Sequence, residues 1–164
     1  MGAASATVLV PASDAGRAGI DELDVADLMS EREHDYVFPH PSMGYVCYRV
    51  LADPANAKRD LFDAGRQIPE GQVETARMRA GVGPSRLVLR TAAAHGATID
   101  VGVNGSIVGS VVVARSDGWE EVSIDLPAGL VGDFELTLRP VKGEWINHHG
   151  WVVEKAREAF AVGE

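Results

Sequence analysis

The chain has 164 residues, 46% apolar and 24% charged, and carries 15 basic against 24 acidic side chains for a formal net charge of −9. Length and balance describe one globular domain of ordinary composition, and the negative field excludes nucleic acid or an anionic membrane surface as the main partner, because phosphate binding needs the opposite sign. Cys47 is the only cysteine, so no intramolecular disulfide and no cysteine-rich metal site can form, as fits a reducing, cytoplasmic setting.

The N-terminal "MGAASATVLVPASDAG" has no basic leader and only a short apolar run, so it is a poor signal peptide, and position 6 is not Ser or Thr as myristoylation requires. No apolar run approaches the ~18 residues that span a bilayer. The first 44 residues read as an excursion wrapping the rest of a single domain. In it "GIDELDVADLMSEREHDY" suits one or two helical turns, with Ile20, Leu23, Leu28 and Met29 as apolar anchors. "FPHPSMG" is too proline-rich for regular structure.

From Tyr45 onward the pattern is of short strands. "YVCYRV" and "VETARMR" are strand candidates, and Cys47 reads as a small core residue in the first. "RLVLRTA" sets Leu87 and Leu89 on one face and Val88 and Arg90 on the other. In "ATIDVGVNGSIVGSVVV" Ile99, Val101 and Val103 alternate with Asp100, Gly102 and Asn104, and Asn104-Gly105 is a type I′ hairpin dipeptide. Asp117-Gly118 turns the chain into "WEEVSIDLP", with Val122, Ile124 and Leu126 inward and Ser123 and Asp125 outward. "FELTLRP" repeats the scheme with Phe134, Leu136 and Leu138. "EKAREAF" closes the chain as a short helix or a strand extension. The fold class is therefore all-β, an antiparallel sandwich or jelly roll with an irregular, partly helical N-terminal excursion.

"VGVNGSIVG", "DGWEEVSIDLPAGL", "FELTLRP" and a final aromatic strand "HHGWVVE" resemble the galactose-binding-like β-sandwiches, which include many carbohydrate-binding modules. "DVADLMSEREHDY" and "DAGR" at 63–66 are similar to segments of the accessory β-sandwich domains of some membrane glycosyltransferases. The resemblance implies a sandwich with a sugar, protein or small-molecule site, and it does not extend to glycosyl transfer, since no transmembrane catalytic region is present.

The richest chemistry lies in "WINHHGW". If the segment is extended, Trp145, Asn147, His149, Trp151 and Val153 share one face, and Ile146, His148, Gly150, Val152 and Glu154 the other. Trp151 and Val153 turn the odd face inward, which places His149 at the buried rim and His148 in solvent. His149 reads first as a hydrogen-bonded core histidine and second as a binding or acid–base group. A chelating pair does not fit, because neither His-x-His nor His-x₃-His spacing occurs.

Asp24, Asp27 and Glu31, at intervals of three and four, form one face of a helical turn. Capping and solvation explain them, and a structural Ca²⁺ is the alternative, although no EF-hand loop is present. Arg66, Arg90, Arg49, Arg77, Arg79 and Arg139 fall on or beside predicted strands, and guanidinium groups hold carboxylates and hydroxyls in pairs.

The leading expectation is a groove lined by His34, Arg66, Arg90, Trp145 and His149 that binds a carbohydrate or similar polar small molecule without turnover and without a cofactor. The alternative is a cofactor-independent lyase, cyclase or isomerase. There His34 or His149 is the general base, Glu31 orients it or acts as acid, and Arg66 or Arg90 holds an anionic substrate. A third reading is a protein-interaction or oligomerisation module, and a homo-oligomer fits the composition. No nucleophile elbow, P-loop, dinucleotide fingerprint or zinc-hydrolase motif occurs.

Overall fold

The computed structural model describes residues 19–38, 46–53, 56–116 and 118–155, and of residues 46–63 the backbone alone. The proline-rich stretch beyond Phe38, the side chain of Cys47, Asp117 of the expected turn and most of "EKAREAF" lie outside the described residues.

Alternating sequence builds two antiparallel sheets. The first orders β2 (Val46–Asp53), β3 (Asn56–Ile68), β10 (Trp145–Glu154), β5 (Ser85–Ala92) and β8 (Glu120–Asp125), with β1 (Gly19–Asp24) added alongside β10. The second orders β4 (Glu74–Ala80), β9 (Gly132–Lys142), β6 (Ala97–Val103) and β7 (Ser106–Val113). Asn104 and Gly105 both have positive φ, 49° and 79°, as the hairpin between β6 and β7 requires.

The core lies between the sheets. Leu87, Leu89, Val122 and Ile124 face Met78, Ile99, Val101, Phe134, Leu136 and Leu138. Each such side chain contributes roughly 1.5–3 kcal/mol on burial, so the all-β sandwich follows from the period-two pattern. Ser123, expected to be solvated, is buried. It sits across from Val88, and Val88 pairs in turn with Trp151 on β10, so the outer face of the first sheet is covered there.

The N-terminal segment holds the expected one or two helical turns and adds a strand before them. Its first six described residues extend as β1, because β10 offers them a paired edge from His149 to Val153. Helix α1 spans Leu28–Glu33 only and starts at Asp27, whose side chain accepts from the amides of Met29 and Ser30 at 2.8 and 3.1 Å. Leu28 and Met29 anchor nothing, being 75% and 64% exposed, while Leu23 does enter the core. The helix is held instead by the buried carboxylate of Glu31.

The segment also straps one open edge of the second sheet. Along β4, the amides of Thr75, Arg77 and Arg79 donate to Val37 O, His34 O and Asp21 Oδ2 at 2.8, 2.6 and 2.7 Å. An edge of unpaired amides is thereby satisfied by residues 21–37. No helix among the described residues is long and apolar enough to cross a membrane.

Candidate functional site

The last strand carries an irregularity that reorganises the chemistry. Opposite β5, Asn147 pairs with Thr91 and His149 with Arg90, leaving His148 as the extra residue of a β-bulge. The bulge reverses the parity of everything after it. Trp145 is in the core before the bulge and Val152 after it, whereas Trp151 falls on the outer face. Trp151 therefore does not anchor the core, and His148, expected in solvent, is fully buried at 0% exposure.

Gly65 of β3 makes room for this. A Cβ there would sit 2.7 Å from Ile146 Cγ2, 2.8 Å from Asn147 O and 2.9 Å from His148 Nδ1. His148 Nδ1 lies 3.3 Å from Ala64 O, and Val25 N donates to His148 O at 3.1 Å.

As a result the two histidines border one row of planar groups rather than opposite faces. Trp119 meets His148 edge-on at 6.2 Å, and the Arg90 guanidinium lies 4.6 Å from the Trp119 ring and 5.0 Å from the Trp151 ring. Trp151 in turn stacks on His149 at 4.1 Å and 15°. Glu121 pairs with Arg90 at 3.3 Å, and Glu22 with His149 Nε2 at 2.7 Å. Such cation–π and stacking contacts contribute about 0.5–2 kcal/mol each. Trp119 is half-buried and Glu22 exposed, while Arg90, Glu121, His148, His149 and Trp151 between them are buried, so the stack itself is closed.

A second cluster joins the sheets on their inner side. Arg66 donates from Nε and Nη2 to the two oxygens of Glu31 at 2.6 and 2.8 Å, and its Cζ lies 4.0 Å from the Phe38 ring. The side chain pairing expected to hold a ligand anion is thus filled by the protein's own carboxylate. Next to it Glu74 accepts from Tyr36 Oη at 2.5 Å and from Asn147 Nδ2 at 3.0 Å. Burial pushes the Glu74 carboxyl up to about 7, against the opposing pull of those two hydrogen bonds and of Arg66. Tyr36 is raised well above its ordinary value, by burial first and by Glu74 second.

The third grouping is open. A cleft of about 380 Å³ lies where α1 and β1 meet the strapped edge of the second sheet. His34, Asp21, Arg77, Arg79, Glu33 and Asp133 surround it, over Ile20 and Met78. His34 Nδ1 lies 2.7 Å from Ser30 O and Nε2 lies 3.2 Å from Asp21 Oδ1. Both ring nitrogens therefore face hydrogen-bond acceptors of the protein itself.

The five residues expected to share a groove are thus dispersed. His34 lines the cleft, Arg66 is in the inner cluster, and Arg90 and His149 are in the closed row. Trp145, at 1% exposure, is in the core and presents no ring face to a ligand. Glu31, the alternative acid, is bonded to Arg66 and to Ala26 N and reaches neither His34 nor His149 by any described bond.

The carboxylates at 24, 27 and 31 serve separately: Asp24 lies 3.7 Å from His149, Asp27 caps α1 and Glu31 pairs with Arg66. Among the described residues no three His, Cys, Asp or Glu side chains gather as a metal site would.

Several contributors carried no usable signal in the sequence. Asp21, Glu22 and Glu74 stand in ordinary polar positions, and only tertiary contact distinguishes them. Trp119, just after a turn Gly, was legible as an aromatic at a strand start and not as the centre of a stack.

No family model matches the chain, and no curated protein matches it. Solved structures do. One is the carbohydrate-binding module CsCBM6-3 from Clostridium stercorarium in complex with cellobiose, with a TM-score of 0.56 at 18% identity over 82% of this chain and 93% of that one. A second is the exo-beta-1,3-galactanase Pc1,3Gal43A from Phanerochaete chrysosporium, with a TM-score of 0.53 at 12% identity over 82% of this chain and 29% of the enzyme. A third is the family GH115 glucuronidase BtGH115A, with a TM-score of 0.52 at 10% identity over 89% of this chain and 19% of the enzyme. At these identities the likeness is one of fold: the chain folds as a two-sheet antiparallel β-sandwich similar to that of the carbohydrate-binding module CsCBM6-3.

Proposed function

We propose that this protein binds a carbohydrate, without turnover, in the open cleft beside His34. The observation that carries the reading is the cleft itself, about 380 Å³ with planar donors and acceptors around an apolar floor of Ile20 and Met78. Sugar hydroxyls take bidentate hydrogen bonds from such groups while the ring's C–H face covers apolar atoms. The cellobiose bound to CsCBM6-3 supports the ligand class by analogy of fold.

Charge narrows the class. Arg77 pairs with Asp35 at 3.2 Å and Arg79 with Asp133 at 2.9 Å, and Asp21 and Glu33 add further carboxylates. The lining is net acidic, so the ligand is a neutral sugar rather than a uronic acid. The acid–base alternative is weaker here, because both nitrogens of His34 are engaged and Glu31 is bonded elsewhere.

Titration of ¹⁵N-labelled protein with neutral and uronic oligosaccharides tests this. The expected result is saturable shifts at Asp21, His34, Arg77 and Arg79 with the neutral set, weakened about tenfold in Arg79→Ala, whose guanidinium keeps N–H donors beyond the one given to Asp133, the worth of about one charged hydrogen bond. Silence across the neutral set, or shifts centred elsewhere, overturns it.

A further inference from the structure

We propose that Asn104, at the tip of the β6–β7 hairpin, is a site of spontaneous covalent modification, where the side-chain amide closes on the Gly105 nitrogen and gives way to an aspartyl or isoaspartyl linkage. All three groups of that reaction stand in the turn. The nucleophile is the Gly105 amide nitrogen, which is exposed and donates to no described group. A Cβ at Gly105 would meet nothing within 4 Å, so nothing crowds the attack. The electrophile is Asn104 Cγ, whose Oδ1 accepts from Glu135 N at 2.9 Å. That bond polarises the carbonyl and receives the negative charge that develops on its oxygen. The leaving group is Nδ2, which has no partner among the described residues and belongs to an exposed side chain.

The step balances with water alone. Gly105 N gives its proton to solvent and bonds to Cγ; the Cγ–Nδ2 bond breaks, and the departing amide takes up a proton and leaves as ammonia. The five-membered succinimide then opens by attack of water on either carbonyl. Attack at Cγ gives aspartate. Attack at the main-chain carbonyl gives isoaspartate, whose main chain runs through Cβ and Cγ and is one carbon longer. Selectivity follows from the next residue: Asn56 precedes Ala57 and Asn147 precedes His148, so each has a Cβ beside its nucleophile. Asn147 is also buried and gives Nδ2 to Glu74.

The product loosens one corner of the second sheet. Asn104 ties the hairpin to β9 twice, through its N to Glu135 O and its Oδ1 to Glu135 N, both at 2.9 Å. A lengthened main chain does not fit a two-residue turn whose members hold φ of 49° and 79°, so isoaspartate releases both bonds. Gly105 and Ser106 also border a hollow of about 150 Å³ with Ile107, Thr137 and Arg139, and its rim changes with the turn.

The test is incubation of the full chain at mildly alkaline pH beside the peptide Val-Asn-Gly-Ser as a clock, followed by peptide-mapping mass spectrometry and far-UV circular dichroism. The expected result is native circular dichroism throughout and conversion at residue 104 to both isoaspartate and aspartate. The rate should climb with pH, because the attacking nitrogen sheds a proton. It should lie within about a hundredfold of the peptide's, the cost of opening two ordinary hydrogen bonds. In the isoaspartyl fraction, hydrogen exchange at the Glu135 amide should be about tenfold faster, with β5 unchanged. A rate below that bound, conversion only after the circular dichroism is lost, aspartate without isoaspartate, equal modification at Asn56 or Asn147, or Glu135 exchange unaltered in the isoaspartyl fraction would each overturn the proposal.

Discussion

Gly65 shows how much of the site hangs on single atoms. It lies opposite the bulge of β10, and an added methyl would fall within 3 Å of Ile146, of the Asn147 carbonyl and of the His148 ring. Two of those contacts are not flexible chain ends, so β10 itself must shift. Gly65→Ala is therefore expected to cost about 1–3 kcal/mol, the usual range for overpacking, and to change the fluorescence of Trp119 and Trp151 as their stack moves. Gly83→Ala, where a Cβ meets nothing within 4 Å, is the matched control and should be near neutral. Urea denaturation of the pair checks it; equal midpoints would show that the bulge does not depend on Gly65. The same spot marks the limit of residue-level reading. Strict alternation placed His148 in solvent and Trp151 in the core, and one extra residue in the ladder reversed both. Nothing in "WINHHGW" announces that residue, because the bulge is stabilised by a glycine some eighty positions earlier in the chain.

At the scale of elements the strands were legible, since each needs only a local period of two and a turn. The hairpin at Asn104-Gly105 and the inward sets of β8 and β9 stand where alternation put them. The N-terminal strap was not, because polar tertiary contacts rather than an apolar stripe hold it. Asp27 caps a helix of six residues, too short to be stable by propensity. That helix positions Glu31 against Arg66 and brings His34 to the cleft. Asp27→Ala should cost about 1 kcal/mol in global stability. Its more specific effect should be local: faster hydrogen exchange at the Thr75 and Arg77 amides, which the strap covers, before any change in β5 or β6. Uniform acceleration across both sheets would mean that the strap unfolds only with the whole protein.

For the whole molecule, the question is what joins the two sheets besides apolar packing. Glu74 belongs to the second sheet, its partner Asn147 to the first, and Tyr36 to the strap, so one carboxyl links all three. Its titration should be visible in global stability. Folded, the group titrates at about 7 against an ordinary 4.5, raised by burial. Between those values the native state keeps a proton that the unfolded chain has released, so the unfolded state binds fewer protons and stability falls as pH rises. The stabilising contribution is full below 4.5 and lost as pH rises through 7, a change of about 3 kcal/mol at most. Asp125 acts in the opposite sense. Arg86 and then Lys155 hold its carboxyl below the ordinary range, so its contribution is present above that range and lost on acidification. The two windows therefore separate, with Asp125 in acid and Glu74 towards neutrality. Charge repulsion in a molecule of −9 also grows with pH, so the wild-type slope alone does not identify its source, and the difference from Glu74→Gln does. Gln keeps the shape and stays neutral at every pH. Relative to wild type it should gain stability steadily from pH 5 to 7.5 and level off above. Denaturation curves that run parallel across that window would show that the polar link between the sheets carries no proton of its own.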